Sequence, residues 1–309
     1  MSQFFQQTQR TMRNKGVEEE TETPIAQLLP EDAGIREVGA EIRKASESDI
    51  LASLLKEVGN VDPALAEALP LKKYRQAVVP RTSSKLLLPE SELLHSVAAE
   101  CYRRARTGLL QSQAKVRTRS VCISSAIAGE GKTMTSANLA LCCCQVPGVR
   151  VLLVDADLRT AGLSHLLGFG GAPGLAELLS HSSTREEAIA AVDVNDLYVL
   201  PAGSASAPAE LFAGTEWKEF IQWATHSFDI VIIDTPPILP LTDTELILAA
   251  CDGLLLVARS LRTPRELITK ALEKFEGKKL LGTIFNGSSI GRRGRSEYDY
   301  YGKLGKQKA

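Results

Sequence analysis

A glycine-containing loop between a short apolar run and a helix-forming run constrains the fold of this chain more than any other feature. Residues 121–124 form the apolar run, the loop holds Gly129 and Gly131, and good helix formers follow over residues 137–141. This order predicts a strand, a phosphate-binding loop and a helix. The glycines let the backbone approach phosphate oxygens closely, and the N-terminus of the helix adds a favourable dipole. The loop therefore predicts nucleotide binding.

Lys132 and Thr133 end this loop. At these positions nucleotide-binding proteins carry a lysine for the β- and γ-phosphates and a hydroxyl that binds Mg²⁺. Backbone N–H groups from Ala128 to Thr133 are expected to converge on phosphate oxygens. Ala126 stands where the full pattern G-x-x-x-x-G-K-[ST] has its first glycine. For the loop taken alone, a turn without a ligand is the alternative.

Two further apolar runs end in aspartate. Residues 151–154 precede Asp155 and Asp157, and residues 230–233 precede Asp234. Uninterrupted apolar runs are typical of strands buried on both faces of a parallel sheet. Ligands of such sheets bind at the carboxyl ends of the strands. Together with the loop lysine and threonine, these aspartates predict Mg·ATP chemistry at one edge of the sheet.

Strand-like and helix-like segments alternate from about residue 91 to about residue 290. This alternation predicts an α/β fold with a doubly wound, mostly parallel sheet and helices on both faces. Further strands are expected at 197–200, 253–257 and 282–285. Helices are expected at 91–110, 174–179, 186–191, 217–225, 244–250 and 264–275.

Composition is typical of a globular enzyme. The 309 residues, 44% of them hydrophobic, are enough to bury a large core. The net charge of −1 predicts no nucleic-acid partner. No apolar run approaches the roughly 18 residues of a membrane span, so we expect a cytoplasmic protein without a transmembrane segment of its own. The six cysteines lack metal-ligand spacing, and most are expected to be small buried hydrophobes.

The three nucleotide motifs together resemble the Walker A, Walker A′ and Walker B motifs of bacterial tyrosine autokinases. These are cytoplasmic P-loop kinases associated with capsule and exopolysaccharide synthesis. The resemblance covers roughly residues 90–301. It implies a protein-tyrosine autokinase that uses ATP and Mg²⁺ and acts in trans within a ring-like homo-oligomer. It also implies a separate membrane activator, the polysaccharide co-polymerase protein, which would recruit the kinase to the inner face of the cell membrane.

The resemblance also implies roles for individual residues. Lys132 stabilises charge on the phosphates, and Asp155 is the candidate that orients the tyrosine hydroxyl and accepts its proton. The roles of Asp155 and Asp157 are interchangeable at this point, because only the resemblance orders them. The implied Mg²⁺ ligands are Thr133, Asp157 and Asp234. The implied nucleotide contacts are Ala128, Gly129, Glu130, Gly131, Lys132, Thr133, Met134 and Asn286, the last near the base, with a simple Asn-Gly turn as its alternative.

The segment 91–110 has helical spacing. Its predicted apolar face consists of Leu94, Val97, Ala98, Cys101, Ala105 and Leu109. Glu100, Arg103 and Arg106 fall roughly opposite, where a solvated face with an internal ion pair is the simplest interpretation. These three residues match the E-x-x-R-x-x-R motif of the autokinases, which implies contacts between subunits.

Three of the six tyrosines, Tyr298, Tyr300 and Tyr301, lie within four positions near the C-terminus. Their neighbours are charged residues and glycine, so a packed core does not account for them. We predict that they are phosphoacceptors on a flexible tail, and a tail that binds a partner is the alternative. The predicted organisation is a flexible tail (1–24), a helical or irregular extension and linker (25–90), a P-loop kinase domain (91–290) and the tyrosine tail (291–309).

Two other functions remain open. One is an ATPase switch like those that position division sites (MinD) or partition plasmids (ParA), and the other is a nucleotide-binding scaffold without kinase activity. Ile127 stands where the switch ATPases have their signature lysine, which argues against that version of the switch.

Overall fold

A computed structural model describes residues 74–80, 85–88, 91, 94, 96–116, 118–205, 207–274 and 280–288, and for residues 112–116 only the backbone. The predicted N-terminal tail, most of the predicted extension and the tyrosine cluster lie outside these residues.

An eight-stranded sheet forms the centre of the described fold. Its strands are β1 (Arg75–Ala77), β2 (Ser120–Ser125), β3 (Val151–Asp155), β4 (Ala190–Val192), β5 (Leu197–Leu200), β6 (Ile230–Asp234), β7 (Gly253–Arg259) and β8 (Leu280–Asn286). Their order across the sheet is β1-β4-β5-β3-β6-β2-β7-β8. The last six strands of this order are parallel to one another. β4 is antiparallel to β5, and β1 is parallel to β4. The predicted mostly parallel sheet is therefore confirmed.

Helices connect the strands and cover the sheet. They are α1 (Val97–Val116), α2 (Lys132–Cys143), α3 (Gly162–Leu166), α4 (Leu175–Leu179), α5 (Arg185–Ala188), α6 (Pro208–Ala213), α7 (Thr215–Ser227), α8 (Asp243–Ala249) and α9 (Arg265–Glu273). The predicted helices at 217–225, 244–250 and 264–275 are confirmed within a few residues.

The central strands are buried on both faces, which explains their uninterrupted apolar runs. Successive side chains of β3 pack alternately into two hydrophobic cores. Val151 and Leu153 pack in the core that α1 and α2 help to form, whereas Leu152 and Val154 pack in the core formed with α7 and α8. Because both faces are covered, the carboxyl ends of these strands are the part of the sheet where polar residues collect.

The predicted helix at 186–191 is only partly correct. α5 ends at Ala188, and residues 190–192 form β4 between β1 and β5. All three residues of β4 are buried. Burial between two strands outweighs the high intrinsic helix propensity of alanine, so the helix prediction fails at this point.

The predicted linker contributes to the core. Its residues 75–77 form the edge strand β1, and the buried side chain of Asn138 on α2 bonds to the backbone of the same segment. Asn138 accepts a hydrogen bond from the N–H of Leu87 at 2.8 Å and donates one to the carbonyl of Lys85 at 3.0 Å. The segment that precedes α1 is thereby attached to the helix that follows the phosphate loop.

The buried face of α1 differs from the predicted one. The helix begins at Val97 instead of residue 91, and Ala98 and Cys101 are exposed. Ala99 and Leu109 are buried. Leu94, Ala105 and Leu109 pack in the core as predicted. The prediction is wrong at Ala98 and Cys101, because alanine and cysteine suit either side of a helix.

Candidate active site

Three neighbouring strands bring the predicted site residues to one edge of the sheet. β2 leads into the phosphate loop and α2, whose first residue is Lys132. β3 and β6 end in Asp155 and Asp234, which are register partners on adjacent strands. Because β6 lies between β3 and β2, the lysine and the two strand-end aspartates share one edge, as the motifs predicted.

Lys132 forms an ion pair inside this site. Its Nζ lies 2.9 Å from Oδ2 of Asp157 and 3.4 Å from the Thr133 hydroxyl. Burial lowers the pKa of Lys132, but the carboxylates of Asp234 and Asp157 more than offset this effect, and the pKa is raised above its ordinary value. The lysine therefore carries its positive charge at neutral pH.

Asp234 is fully buried, and the described residues donate a hydrogen bond to only one of its two carboxylate oxygens. Its Oδ1 accepts a hydrogen bond from the Ser136 hydroxyl at 2.9 Å. Its Oδ2 accepts none from the described residues. Burial raises the pKa of Asp234 to about 7, although the Lys132 ammonium and, to a smaller extent, the nearby hydroxyls of Thr133 and Ser136 lower it. A buried carboxylate oxygen without a donor is the group that a cation or an ordered water satisfies at little cost.

Asp155 is also buried, but both of its oxygens accept hydrogen bonds. Oδ2 accepts from the N–H and the hydroxyl of Ser164, at 2.8 and 2.7 Å. Oδ1 accepts from the N–H of Asp157 at 3.2 Å. Burial raises the pKa of Asp155, and the two bonds from Ser164 lower it in part. In this arrangement Asp155 holds the loop that carries Asp157.

The phosphate loop is shaped by its two glycines. Gly129 and Gly131 have φ of 81° and 94°, in the left-handed region that glycine tolerates best. A Cβ atom at Gly131 would also clash with Nδ2 of Asn286. This amide donates a hydrogen bond to the carbonyl of Glu130 at 3.0 Å. Asn286 thus lies against the loop backbone, and its predicted contact with the base stays a prediction.

The Glu130 side chain is part of the loop's internal structure. It is 2% exposed, and its Oε2 accepts a hydrogen bond from the N–H of Ile127 at 3.1 Å. Its Oε1 accepts a hydrogen bond from the Thr263 hydroxyl.

Sequence reasoning missed Thr263, Ser136 and Ser164. Ser136 and Thr263 lie 98 and 133 residues from their partners along the chain, whereas Ser164 lies nine residues from Asp155. None of the three belongs to a recognised motif.

Arg159 and Asp243 form another unpredicted contact beside the site. Nε and Nη2 of Arg159 lie 2.8 and 3.2 Å from Oδ2 and Oδ1 of Asp243. Asp243 is buried at the start of α8, and such paired geometry is the strong form of an arginine–carboxylate contact. The contact joins the loop after β3 to α8, the helix that follows β6.

The residues predicted at a subunit interface have partners within the chain. Arg103 contacts Glu100 at 3.1 Å and the carbonyl of Leu94 at 2.6 Å. Arg106 was predicted opposite the apolar face, but it is 5% exposed and donates to the carbonyl of Cys142 at 3.1 Å. A guanidinium suits this position because α2 leaves carbonyls without partners at its C-terminus. Contacts with another subunit remain a prediction for all three.

Most of the predicted behaviour of the cysteines is confirmed. Cys101 is exposed, the other five are buried, and none of the six forms a disulfide. Among the residues that the structure describes, no group of three or more histidine, cysteine or acidic side chains has the arrangement of a metal centre. Within the same part of the chain, no helix combines the length and apolarity that crossing a membrane requires.

Comparison with known proteins shows which family the chain belongs to. A family model described as an AAA domain matches residues 118–272. The chain is 36% identical over 237 residues to the tyrosine-protein kinase YwqD of Bacillus subtilis (strain 168), covering 76% of this chain and 97% of YwqD. This chain belongs to the bacterial tyrosine-protein kinases. It is accordingly a protein-tyrosine kinase, and the prediction from the three motifs is confirmed.

The chain is also similar to a solved kinase domain and to a longer protein. The solved kinase domain of the Escherichia coli tyrosine kinase ETK superposes with a TM-score of 0.60 at 27% identity, covering 65% of this chain and 81% of that domain. The succinoglycan biosynthesis transport protein ExoP of Rhizobium meliloti (strain 1021) is 30% identical over 245 residues, which cover 77% of this chain and 30% of ExoP. The matched region thus covers most of the ETK kinase domain but less than a third of ExoP.

Proposed function

We propose that this kinase transfers the γ-phosphoryl group of Mg·ATP to the tail tyrosines of a neighbouring copy, at Tyr298, Tyr300 and Tyr301. The observation that carries the proposal is the convergence of Lys132, Asp157 and Asp234 beside the phosphate loop. Phosphoryl transfer depends on placement and charge neutralisation more than on covalent help from the protein. One buried cation and two buried carboxylates beside a phosphate loop suit that requirement.

The phosphates of ATP would be held by the loop amides from Ala128 to Thr133, continuing to Met134. Lys132 would turn from Asp157 toward the β- and γ-phosphates, because a phosphate group carries more negative charge than a carboxylate. This exchange of partners keeps the ammonium paired at every stage, so its burial is never left uncompensated.

The residues present fit a magnesium ion. Oδ2 of Asp234, which accepts no hydrogen bond from the described residues, and the Thr133 hydroxyl would supply hard oxygen ligands. Asp157 would supply another directly or through water. Magnesium takes its remaining ligands from phosphate and water, so a cluster of three acidic side chains is not required. When bound, the ion neutralises charge that develops on the transferred group.

The tyrosine hydroxyl would be oriented by Asp155. Both oxygens of Asp155 already accept hydrogen bonds, and a phenol with a pKa near 10 gives up its proton to a carboxylate only late in the transfer. These two facts favour orientation over early proton abstraction. Asp157 stays the alternative, and the separate variants Asp155→Asn and Asp157→Asn distinguish the two.

The proposed output is control of assembly. Phosphate on the tail adds negative charge beside Glu297 and Asp299, which weakens docking of the tail and favours dispersal of a ring-like oligomer. Glu100, Arg103 and Arg106 are the proposed contacts between its subunits. A membrane partner would recruit the kinase to the inner face of the cell membrane, and the cycle would regulate polysaccharide synthesis or export. The name of ExoP, a succinoglycan biosynthesis transport protein, supports this last step.

Transfer between copies is tested by mixing two variants. One carries Lys132→Met and an intact tail, and the other has the natural loop but Tyr298→Phe, Tyr300→Phe and Tyr301→Phe. After incubation with Mg·ATP, mass spectrometry should find phosphotyrosine on the Lys132→Met chain in the mixture and on neither variant alone. If only the natural protein is labelled, transfer occurs within one chain and the trans mechanism is wrong.

A further inference from the structure

The phosphate loop contains a negative side chain of its own. Glu130 is the residue between the two loop glycines, and it is 2% exposed. A free carboxylate at this position would repel the phosphate that the loop binds. The loop therefore has to hold this carboxylate in a fixed direction, and the contacts of Glu130 show how.

Two donors hold the Glu130 carboxylate. The N–H of Ile127 donates to Oε2 at 3.1 Å, and the Thr263 hydroxyl donates to Oε1. The Thr263 oxygen itself accepts the N–H of Arg259 at 2.8 Å. Since that N–H uses the oxygen as acceptor, the hydroxyl hydrogen is available to the carboxylate. Glu130 is thus attached to the turn between β7 and α9.

The same part of the fold holds the loop backbone. Nη1 of Arg259 donates to the carbonyl of Gly129 at 3.1 Å, and Nδ2 of Asn286 donates to the carbonyl of Glu130 at 3.0 Å. The N–H of Ser260 donates to the carbonyl of Asn286 at 2.8 Å, which joins the β7–α9 turn to the end of β8. We call Arg259, Thr263 and Asn286 the loop clamp.

We propose that the loop clamp sets the conformation of the phosphate loop through Glu130, which makes Glu130 and Thr263 positioning residues for nucleotide binding. The N–H of Ile127 is committed to Glu130, so the anion site begins at Ala128. The clamp also keeps the carboxylate directed toward Thr263. This inference rests on the proposed binding of Mg·ATP by the loop and adds the residues that prepare the loop for it.

The central variant is Thr263→Val, which removes the hydroxyl and keeps the shape of the side chain. Glu130 then loses one of its two described donors, and a buried carboxylate without its donor is expected to turn toward water and the phosphate site. We expect the affinity for Mg·ADP, measured by calorimetry, to fall about tenfold. The conservative variant Thr263→Ser keeps the hydroxyl and should restore most of the affinity.

A double-mutant cycle separates the clamp from a general loss of stability. Without the carboxylate at position 130 there is no charge to misdirect, so adding Thr263→Val to Glu130→Ala should weaken binding little further. The matched control is Thr269→Val on α9, where the hydroxyl bonds, among the described residues, to the carbonyl of Arg265 in its own helix. This control should bind Mg·ADP like the natural protein. Equal losses from Thr263→Val with and without Glu130 would overturn the proposal.

Hydrogen exchange tests the clamp without nucleotide. The amide of Ile127 should exchange faster in Thr263→Val than in the natural protein and in Thr269→Val, because its acceptor is no longer held. Unchanged exchange at Ile127 would overturn the clamp, whatever the affinity. If the natural protein binds no Mg·ADP while this exchange difference is present, the proposed function fails and the clamp stands.

Discussion

Asp155 at the end of β3 and Asp234 at the end of β6 are paired across the sheet, and both are buried. They follow similar apolar runs, so the two motifs look alike in the sequence. Their surroundings differ, because the Ser164 backbone and hydroxyl saturate one oxygen of Asp155 while Oδ2 of Asp234 accepts no hydrogen bond from the described residues. The position at a strand end selects the aspartate, but its neighbours decide how many of its oxygens already accept hydrogen bonds within the fold.

The largest expected effect follows from replacing the available carboxylate. Asp234→Asn removes the charge that is proposed to hold magnesium, and we expect the rate of tyrosine phosphorylation to fall on the order of a thousandfold. The rate is measured by quantitative mass spectrometry of phosphotyrosine in the tail. Ser136→Ala removes only the donor to Oδ1 and should reduce the rate far less. Near-natural activity of Asp234→Asn would show that this carboxylate does not hold the ion.

The second prediction concerns pH and uses the same variant. The pKa of Asp234 is about 7 in the folded protein, whereas the ordinary pKa of an aspartate is 3.8. The folded state therefore binds more protons between these values, and its stability falls as the pH rises through this window. Relative to Asp234→Asn, the natural protein should lose about 2–3 kcal/mol of unfolding free energy from about pH 5 to about pH 8.

Urea denaturation of both proteins across this range measures that difference. Only the difference between them is informative, because the other titrating groups are common to both. A constant difference in unfolding free energy would mean that Asp234 does not change its charge in this range, and a folded-state pKa of about 7 would be wrong.

The smallest effect is expected at Asp155, because both of its oxygens accept hydrogen bonds within the fold. Ser164→Ala removes one of the donors to Asp155 and also the acceptor of the Ala202 N–H, which lies 2.9 Å from the Ser164 hydroxyl. We expect a loss of about 1–2 kcal/mol in unfolding free energy, with little change in nucleotide affinity. The exposed Ser180 supplies the matched control, since Ser180→Ala should change stability by less than about 0.5 kcal/mol. A large loss of affinity in Ser164→Ala would show that the hydrogen bonds between Ser164 and Asp155 support nucleotide binding as well as the fold.

The central strands and the position of the site were predictable because their signals are local. Long apolar runs mark β3 and β6, and glycine beside Lys132 marks the phosphate loop. The aspartates that end the strands then fall at one edge by the geometry of a parallel sheet. The chemistry of the site could therefore be read from a few short segments.

The remaining features depend on contacts between distant segments. β4 is a strand only because β1 and β5 flank it, although its residues favour a helix. Arg106 is buried because the end of α2 offers it a carbonyl, which the spacing along α1 does not reveal. Thr263 lies 133 residues from Glu130 along the chain, so its hydrogen bond is visible only in the folded protein.

The central claim is that Lys132 and its partner aspartates direct phosphate to tyrosine. The most direct measurement is the mass of the intact protein after incubation with Mg·ATP, followed by peptide mapping, beside Lys132→Met and the control Lys270→Met on α9. We predict phosphotyrosine at Tyr298, Tyr300 or Tyr301 in the natural protein and in Lys270→Met, and none in Lys132→Met. Equal phosphorylation of Lys132→Met would contradict the account, because the phosphate loop would then have no part in the transfer.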